Sequence, residues 1–320
     1  MKKVLFATTA LVAFAGAASA EIAISGSAEM GFVGGGDGVG NPGFAAPTGD
    51  LEFHNDVTLS IKATGETDTG LSFGASFDFS KVEGDANGNV SIDNEAAFIS
   101  GAFGTLTMGE IDSAIDWAIV ETVGNPGSIG DDETIHAGYM GAFADGTYDN
   151  QHLRYDYTMG AFGFAISAEL DDSSNDAGYA VGVKYNTTFG STAVGLGLGY
   201  QSVEVGAADL DIIAVAANAD FGNGFVAGIM YSDWDSSVAG ADMDHTQLSM
   251  GYTTGAFSIG ANYGVWDTAA GDIEGFGVAA AYDLGGGLSV HAGYGDSKWD
   301  AAFGSDAGQE TYSLGVSMAF

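Results

Sequence analysis

Two histidines share a predicted strand face with a carboxylate. His54 precedes Asp56 by two residues, and His152 precedes Asp156 by four. Side chains two or four residues apart in a strand point to the same face, so each pair could supply a general base and the group that orients it. No serine is marked as a nucleophile, and none of the five histidines has the H-x-x-x-H or H-E-x-x-H spacing of a zinc hydrolase. We therefore expect no enzyme and retain a hydrolase only as an alternative.

Two short acidic runs could bind calcium. Their candidate ligands are Asp131, Asp132 and Glu133 in the first run, and Asp171, Asp172 and Asp176 in the second. Carboxylate oxygens are the ligands that Ca²⁺ prefers, but neither run has the spacing of an EF-hand. Solvated acidic loop tips are the alternative interpretation. We expect no required cofactor, with Ca²⁺ in these acidic loops as the candidate bound ion.

The whole chain is strongly acidic. It has 43 Asp and Glu against 7 Lys and Arg in 320 residues, for a formal net charge of −36. This charge repels the phosphates of nucleic acid and of anionic lipid, so cations are the expected charged partners. The chain contains no cysteine, so the fold has no disulfide or thiolate metal site.

The first twenty residues have the order of a secretory signal peptide. Lys2 and Lys3 precede an apolar run from Val4 to Ala18, and an A-x-A cleavage site ends at Ala20. We predict a signal peptide over 1–20 and one mature domain over 21–320. A short membrane anchor is the alternative. No later apolar run is long enough for a transmembrane helix, so a mature chain that spans a membrane must do so with strands.

Alternation between apolar and polar residues indicates such strands. From Leu51 to Ala63 nearly every odd position is apolar and nearly every even position is polar. The pattern recurs along the chain, and Gly or short polar residues, rather than large aliphatics, fill the second face. A sheet with one broad apolar face and one small, polar face is typical of a transmembrane barrel around water. A soluble β-sandwich would need large aliphatics on its inner faces.

The alternating segments number sixteen, and most are about ten residues long, which suffices for a tilted strand to cross a bilayer. They are predicted over 22–33, 51–64, 70–80, 94–103, 105–111, 150–159, 162–170, 178–187, 192–203, 209–219, 225–234, 244–254, 256–266, 274–283, 287–296 and 309–320. Tight Gly-rich connections alternate with longer acidic ones, which predicts one rim of turns and one rim of loops. The fold class is therefore all-β, a transmembrane 16-stranded antiparallel β-barrel.

Between Ile111 and Asn150 the alternation stops. We call this segment the third loop, because it is third among the predicted long loops. It is acidic and also rich in aromatic residues, which need a surface to pack on, so we expect it to fold into the lumen. A solvated surface loop is the alternative. Its candidate pore-constriction residues are Asp112, Asp116, Glu121, Asp131, Asp132 and Glu133.

Alternation also identifies the charged residues of the lumen wall. The bases Lys62, Arg154 and Lys184 are predicted to face the constriction. The other inward residues are Glu29, Glu52, His54, Asp56, Asp78 and Asp156. Five carboxylates against three bases predict a negative lumen that prefers cations. Each of these charges could equally be a solvated wall residue without a role in selectivity.

Three blocks of sequence resemble the general-diffusion porins of alphaproteobacteria, of the type found in purple non-sulfur bacteria. They are TDTGLSFGASF at 67–77, FISGAFGTLTMGE at 98–110 and AYDLGGG at 281–287. The resemblance implies a homotrimeric barrel in the Gram-negative outer membrane, with a third loop that constricts the pore and acidic loops that bind Ca²⁺. It also implies that the barrel-assembly machinery reads the C-terminal Phe320. The family places a basic cluster opposite the third loop, and Lys62, Arg154 and Lys184 are the residues of this chain that compete for that role.

We therefore expect a water-filled outer-membrane channel for passive diffusion of small hydrophilic solutes and ions, with a preference for cations. Its expected partners are further copies of itself, outer-membrane lipid, these solutes and the assembly machinery. A substrate-specific outer-membrane channel is the alternative, and an outer-membrane barrel hydrolase is a further one. The strands show no ladder of inward aromatic residues that would favour a specific sugar channel.

Overall fold

The computed structural model is a closed antiparallel barrel. The residues that it describes are 21–35, 51–82, 90–130, 136–139, 141–144, 151–170, 176–206, 208–300 and 307–320. The predicted signal peptide lies outside these residues. Among them, no helix is both long enough and apolar enough to cross a membrane.

All sixteen predicted strands are present. They are β1 (Glu21–Gly35), β2 (Glu52–Glu66), β3 (Ser72–Val82), β4 (Ser91–Gly101), β5 (Gly104–Glu110), β6 (Gln151–Met159), β7 (Phe162–Glu169), β8 (Gly178–Phe189), β9 (Thr192–Val205), β10 (Ala208–Asp220), β11 (Phe225–Ser236), β12 (Met243–Thr254), β13 (Phe257–Thr268), β14 (Gly271–Gly285), β15 (Leu288–Trp299) and β16 (Ala307–Ala319). One short helix, α1 (Ala114–Ala118), lies in the third loop. Each strand pairs with its neighbours in sequence, and β1 pairs with β16 to close the sheet.

The first and last strands close the barrel through an aligned ladder. It runs from Ser27 opposite Ala319 to Gly35 opposite Thr311. Beyond it, the Gly26 N–H donates to the Phe320 carbonyl at 2.7 Å, and the Phe320 N–H donates to the Gly26 carbonyl at 2.9 Å. The C-terminal residue is therefore part of the closure, and no strand of the sheet has a free edge.

The two rims differ, but less than the sequence predicts. Tight turns follow β4, β6, β8 and β12, and Gly160, Gly190 and Gly255 take positive φ angles of 60–64° in three of them. The expectation of long loops throughout the other rim is wrong at two places, because only two residues separate β9 from β10 and β13 from β14. These strands extend further than the sequence predicts: their ladders include Glu204 and Asp267, which the alternation places in acidic loops.

The two faces of the wall have opposite character. Val181 of β8 and Leu198 of β9 are about half exposed on the outer face. On the inner face, Ala180 and Gln201 of the same strands are buried. Apolar side chains thus cover the outside of the barrel, and small or polar side chains line the inside, as in a barrel that crosses a membrane.

Tyrosines on the outer face pair with carboxylates at the long-loop end of the strands. The hydroxyl of Tyr200 donates to Asp211 at 2.6 Å, and that of Tyr263 donates to Glu274 at 2.6 Å. Tyr231 makes the equivalent hydrogen bond to Asp244. These pairs repeat on successive hairpins, and they place a polar tip above an apolar ring, as interfacial tyrosines do.

Candidate functional site

The third loop begins against the inner face of β7 to β9. Ser113 caps α1, and its hydroxyl accepts a hydrogen bond from the Asp116 N–H at 3.5 Å. The Ala114 N–H donates to the Ser167 hydroxyl of β7 at 2.8 Å. A Cβ added at Gly182 of β8 would lie 2.0 Å from the Ala114 carbonyl oxygen. The helix therefore rests on a wall position where only glycine fits.

Beyond α1 the third loop crosses to strands that are far apart in the wall. The Val123 N–H donates to Ser249 Oγ of β12 at 2.9 Å. The Gly130 N–H donates to Glu29 Oε2 of β1 at 3.3 Å. Strands β12 and β1 are not neighbours in the closed sheet, and both contacts are made on the face opposite the apolar one. The described part of the third loop therefore lies inside the barrel.

The chain then returns along the wall through residues 136–144, which we call the returning limb; residue 140 lies outside the described residues. The Ala137 N–H donates to Ser297 Oγ of β15 at 3.0 Å. The Ala144 N–H donates to Gln201 Oε1 of β9 at 2.9 Å. Buried polar side chains of the wall thus satisfy backbone groups of the limb, which have no ladder partner of their own.

Glu121 joins the outgoing chain to the returning limb. Its Oε1 atom accepts hydrogen bonds from the Gly141 N–H at 3.2 Å and from the Ala142 N–H at 3.0 Å. A carboxylate that accepts two backbone N–H groups is a strong link. Glu121, which the sequence predicts at the constriction, therefore holds the shape of the third loop.

Arg154 contacts two carboxylates. Its Nη1 donates to the Asp112 carbonyl oxygen at 2.6 Å and lies 3.9 Å from the Asp112 carboxylate. Its Nε lies 3.5 Å from Asp156 Oδ1. The Arg154 side chain is 13% exposed, whereas Asp112 is 65% exposed. The arginine charge is thus covered by acids, and a carboxylate faces the open space.

The two predicted lysines are placed differently. Lys184 of β8 stands over the ring of Trp117, with Nζ 3.4 Å from the ring centroid and 3.3 Å from the Trp117 carbonyl oxygen. This cation–π contact joins the wall to α1. Lys62 is exposed on β2, in register with Ser76 of β3. The structure brings Lys184 and Arg154 to the start of the third loop, and Lys62 lies further round the wall.

Carboxylates occupy aligned positions on β1 to β4. Glu29 is in register with Asp56, and Asp78 is in register with Asp93. Asp93 accepts a hydrogen bond from Ser80 Oγ at 2.5 Å. The sequence did not identify Asp93 as an inward residue, because a register shift near Asn94, whose φ is 56°, interrupts the alternation there. Glu52 is exposed at the start of β2.

The histidines do not form the pairs that the sequence predicts. His152 is buried and faces Glu169, with His152 Nε2 and Glu169 Oε2 3.8 Å apart. These two residues are cross-strand partners in the ladder of β6 and β7, which is why Glu169 rather than Asp156 is the acid beside His152. His54 packs beside Gly130 of the third loop.

Two histidines that the sequence did not single out hold the returning limb. His136 Nε2 lies 2.5 Å from Asn262 Oδ1 of β13, and His245 Nε2 of β12 donates to the Gly138 carbonyl at 2.7 Å. Burial lowers the pKa of His136 to about 4, although the Asn262 hydrogen bond acts in the opposite direction. The sequence gives one local hint of these contacts. His136 precedes Gly138 by two residues, a spacing that lets its ring accept the Gly138 N–H.

The candidate calcium ligands remain predictions. Asp131, Asp132, Glu133, Asp171 and Asp172 lie outside the described residues. Asp176 is described and exposed, and its N–H donates to Glu204 Oε2. The described part of the chain holds no group of three or more His, Asp or Glu side chains arranged to bind a metal ion.

Comparison with known proteins identifies a consistent set of relatives. The model of the family described as Gram-negative porin matches residues 7–302. A porin from Rhodobacter capsulatus is 30% identical over 306 residues, which cover 87% of this chain and 94% of that protein. A porin from Fuscovulum blasticum is 26% identical over 247 residues, which cover 73% of this chain and 82% of that protein.

Solved structures agree with this set. A porin structure refined at 1.8 Å superposes with a TM-score of 0.70 at 26% identity and covers 94% of this chain and all of that one. A double-substitution variant of the Rh. blastica porin also superposes with a TM-score of 0.70, at 20% identity, and covers 93% of this chain and all of that one. The second likeness shows the fold alone.

Proposed function

The chain belongs to the family of Gram-negative porins, outer-membrane channels that are not enzymes, and we propose that it conducts small hydrophilic solutes and ions by passive diffusion with a preference for cations. The observation that carries this proposal is the charge arrangement inside the barrel. Arg154 is covered by two acids, while the exposed carboxylate of Asp112 faces the open space.

The remaining inner charges favour the same sign. Glu29 and Asp56 are aligned on neighbouring strands, as are Asp78 and Asp93. Like charges at aligned positions repel each other, and cations that enter the lumen relieve this repulsion. Lys62 is a base on the same part of the wall, which also carries these four carboxylates. The arrangement therefore lowers the free energy of a cation in the lumen and raises that of an anion.

A general-diffusion mechanism fits the contents of the lumen. In the described part of the third loop, Trp117 and Phe143 pack against buried residues of the wall, and Trp117 also lies under Lys184. A substrate-specific channel would need a line of side chains that bind its solute in succession. Flux that rises linearly with sugar concentration would support general diffusion, and saturation at millimolar sugar would support the alternative.

Planar-bilayer recording in a potassium chloride gradient tests the proposal. For an ideally cation-selective channel in a tenfold gradient, the current reverses at about 59 mV, and the sign of this potential is that of the potassium equilibrium potential. We expect steady conductance and a reversal potential of that sign. The preference should fade toward 1 M salt, where the Debye length falls to about 3 Å. A reversal potential of the opposite sign would contradict the cation preference, and the absence of conductance would contradict the channel.

The assembly of the channel is part of the proposal. The outer face of β4 to β6 carries Glu95, Glu110 and Gln151 near the long-loop end, and Gln151 Nε2 donates to Glu95 Oε1 at 2.8 Å. Outer-face carboxylates such as Asp211 and Glu274 accept from tyrosine hydroxyls, whereas Glu95 accepts from the Gln151 amide; we propose that contact with neighbouring copies in a homotrimer shields this face from lipid. Ca²⁺ in the acidic loops would then bridge adjacent copies.

The route to the membrane completes the proposal. The 1–20 segment would be cleaved on export, so that the mature chain begins at Glu21, the first residue of β1. The assembly machinery would read Phe320, whose backbone is part of the barrel closure. Mass spectrometry of the purified outer-membrane protein tests the cleavage site, and a retained Met1 would contradict it.

A further inference from the structure

The returning limb is held to the wall at the peptide groups on both sides of Gly138. The Gly138 carbonyl accepts from His245 Nε2 at 2.7 Å, and the Gly138 N–H donates to His136 Nδ1 at 3.2 Å. Two imidazoles of different elements therefore bind the backbone of one residue. A Cβ added at Gly264 would lie 1.8 Å from the Gly138 carbonyl oxygen, so the limb sits directly on the wall here.

These hydrogen bonds fix the tautomer of both rings. A carbonyl oxygen only accepts, so His245 carries its proton on Nε2. His136 Nδ1 accepts the Gly138 N–H, so it carries no proton, and Nε2 of the same ring donates to Asn262 Oδ1. Each histidine thus makes its contacts as a neutral ring.

Neither ring has a place for a second proton. A proton on His136 Nδ1 would point at the Gly138 N–H, so two donors would face each other. His245 Nδ1 is buried without a hydrogen-bond partner, and it abuts Gly141, where a Cβ would lie 2.6 Å from it. A proton on this atom would place a charge on a buried ring whose Nδ1 has no hydrogen-bond partner, which is strongly unfavourable.

No carboxylate of the described wall faces the two rings. The neighbouring inner-face groups of β11, β13, β14 and β15 are the neutral Ser232, Trp234, Asn262, Trp266, Gly275 and Ser297. Acids of the same strands, such as Asp233 and Asp244, lie on the opposite face. Within the described third loop, Tyr139 lies 5.9 Å from His136 between ring centroids, and Glu121 is engaged by Gly141 and Ala142. Trp266, 4.5 Å from His245 between ring centroids, can stabilise a cation but offers no acceptor.

We propose that His136, His245 and Gly138 form an acid-sensitive latch, which releases the returning limb from the wall when the two histidines are protonated. The limb lies directly against the wall, so it can move only toward the channel axis, where it obstructs the passage. Acid therefore lowers the conductance reversibly. This latch rests on the proposed channel function and adds regulation to it.

The chain supplies a matched control. His291 of β15 also binds the third loop, because its Nδ1 donates to the Gly127 carbonyl at 2.9 Å. Its second nitrogen lies 2.8 Å from the Ser289 hydroxyl, which can either donate or accept. Both contacts of His291 are compatible with a hydrogen on each ring nitrogen, so this histidine joins loop and wall in a way that the latch does not.

Single-channel recording from about pH 7.5 down to about pH 3, below the pKa of about 4 of His136, tests the latch. Potassium chloride at 1 M shortens the Debye length to about 3 Å, which limits the effect of titrating lumen carboxylates. We expect a reversible loss of conductance in the unmodified protein and in His291→Gln, and a flat profile in the double variant His136→Gln/His245→Gln. Glutamine can donate to the Gly138 carbonyl but does not titrate in this range.

Two results would overturn the latch. One is a conductance that does not change with pH in the unmodified protein, and the other is an equal loss in the double variant. If the double variant does not fold, tryptophan fluorescence of the unmodified protein decides instead, because Trp266 and Trp234 lie beside the latch and should report its release at the pH at which the conductance falls. Unchanged fluorescence would contradict the release. Absence of conductance at neutral pH would contradict the channel itself, whereas a pH-independent channel contradicts only the latch.

Discussion

Replacing Gly182 with alanine tests whether the wall sets the position of the third loop. A Cβ at this residue would lie 2.0 Å from the Ala114 carbonyl oxygen and 2.7 Å from the Ala118 Cβ. Ordinary van der Waals contact begins at 3.4 Å, so the backbone of α1 must move by about 1.4 Å, the difference between 3.4 and 2.0 Å. Because α1 rests on the inner face of the wall, its backbone can move only toward the channel axis, and this movement narrows the passage.

The helix should move, and the strand should stay in place. Overpacking of this kind costs roughly 1–3 kcal/mol, and the atom that meets the new methyl group belongs to the backbone, so it cannot rotate away. Gly182 lies in β8, which has ladder partners on both sides in β7 and β9. Its backbone is not in the left-handed region, so alanine is compatible with the strand.

Single-channel conductance in 1 M potassium chloride measures the effect. We expect a smaller conductance for Gly182→Ala than for the unmodified protein. Gly308→Ala in β16 is the matched control, because a Cβ there would meet its nearest atom, the Ser297 carbonyl oxygen, at 3.2 Å and needs only a small adjustment. Equal conductance of the two variants and the unmodified protein would refute our account of how the loop is positioned.

Three further predictions concern charge, pH and assembly. Asp112→Asn should weaken the cation preference and Arg154→Gln should strengthen it, because each removes one charge of the Asp112–Arg154 contact; reversal potentials measure both, and two unshifted values would contradict the lumen assignment. The pKa of His136 is lowered from 6.5 to about 4, so its contribution to the packing of the third loop is complete above pH 6.5 and is lost as the pH falls to 4. At about 1.4 kcal/mol per pKa unit this loss approaches 3 kcal/mol, and the loop should become more sensitive to pepsin at pH 4 than in the His136→Gln variant. Chelation should loosen the proposed trimer, because carboxylates from adjacent copies repel one another without Ca²⁺; native mass spectrometry that shows only monomers at saturating Ca²⁺ would contradict the trimer.

The sequence predicts the barrel well because successive side chains of a strand point to opposite faces, so alternation assigns each residue to one of them. Alternation from Leu51 to Ala63 is enough to place β2 and the inward side of His54, Asp56 and Lys62. It fails where a register shift removes the period of two, which is why Asp93 was missed. It also predicts strands that are too short where the strand includes acidic sequence. β14, for example, begins at Gly271, three residues before its predicted start.

The path of the third loop could not be predicted in the same way. Its contacts join residues that are far apart in the chain, such as His136 with Asn262 and Ala137 with Ser297. No period in the sequence encodes such pairs. Arg154 contacts Asp112 and Asp156, but the contact with Asp112 depends on where the loop lies, and the composition does not determine that.

The closure of β1 on β16 also has a consequence for folding. Gly26 and Phe320 exchange hydrogen bonds although they are 294 positions apart in the chain (320 minus 26). Non-local pairing of this kind is slow, because chain entropy must be lost before the ladder repays it. A chain that ends before β16 cannot close, and it leaves the edges of β1 and β15 open to pairing with other chains. β16 thus converts an open sheet into a closed barrel, so a chain truncated before β16 differs from one that contains it in having two unpaired strand edges.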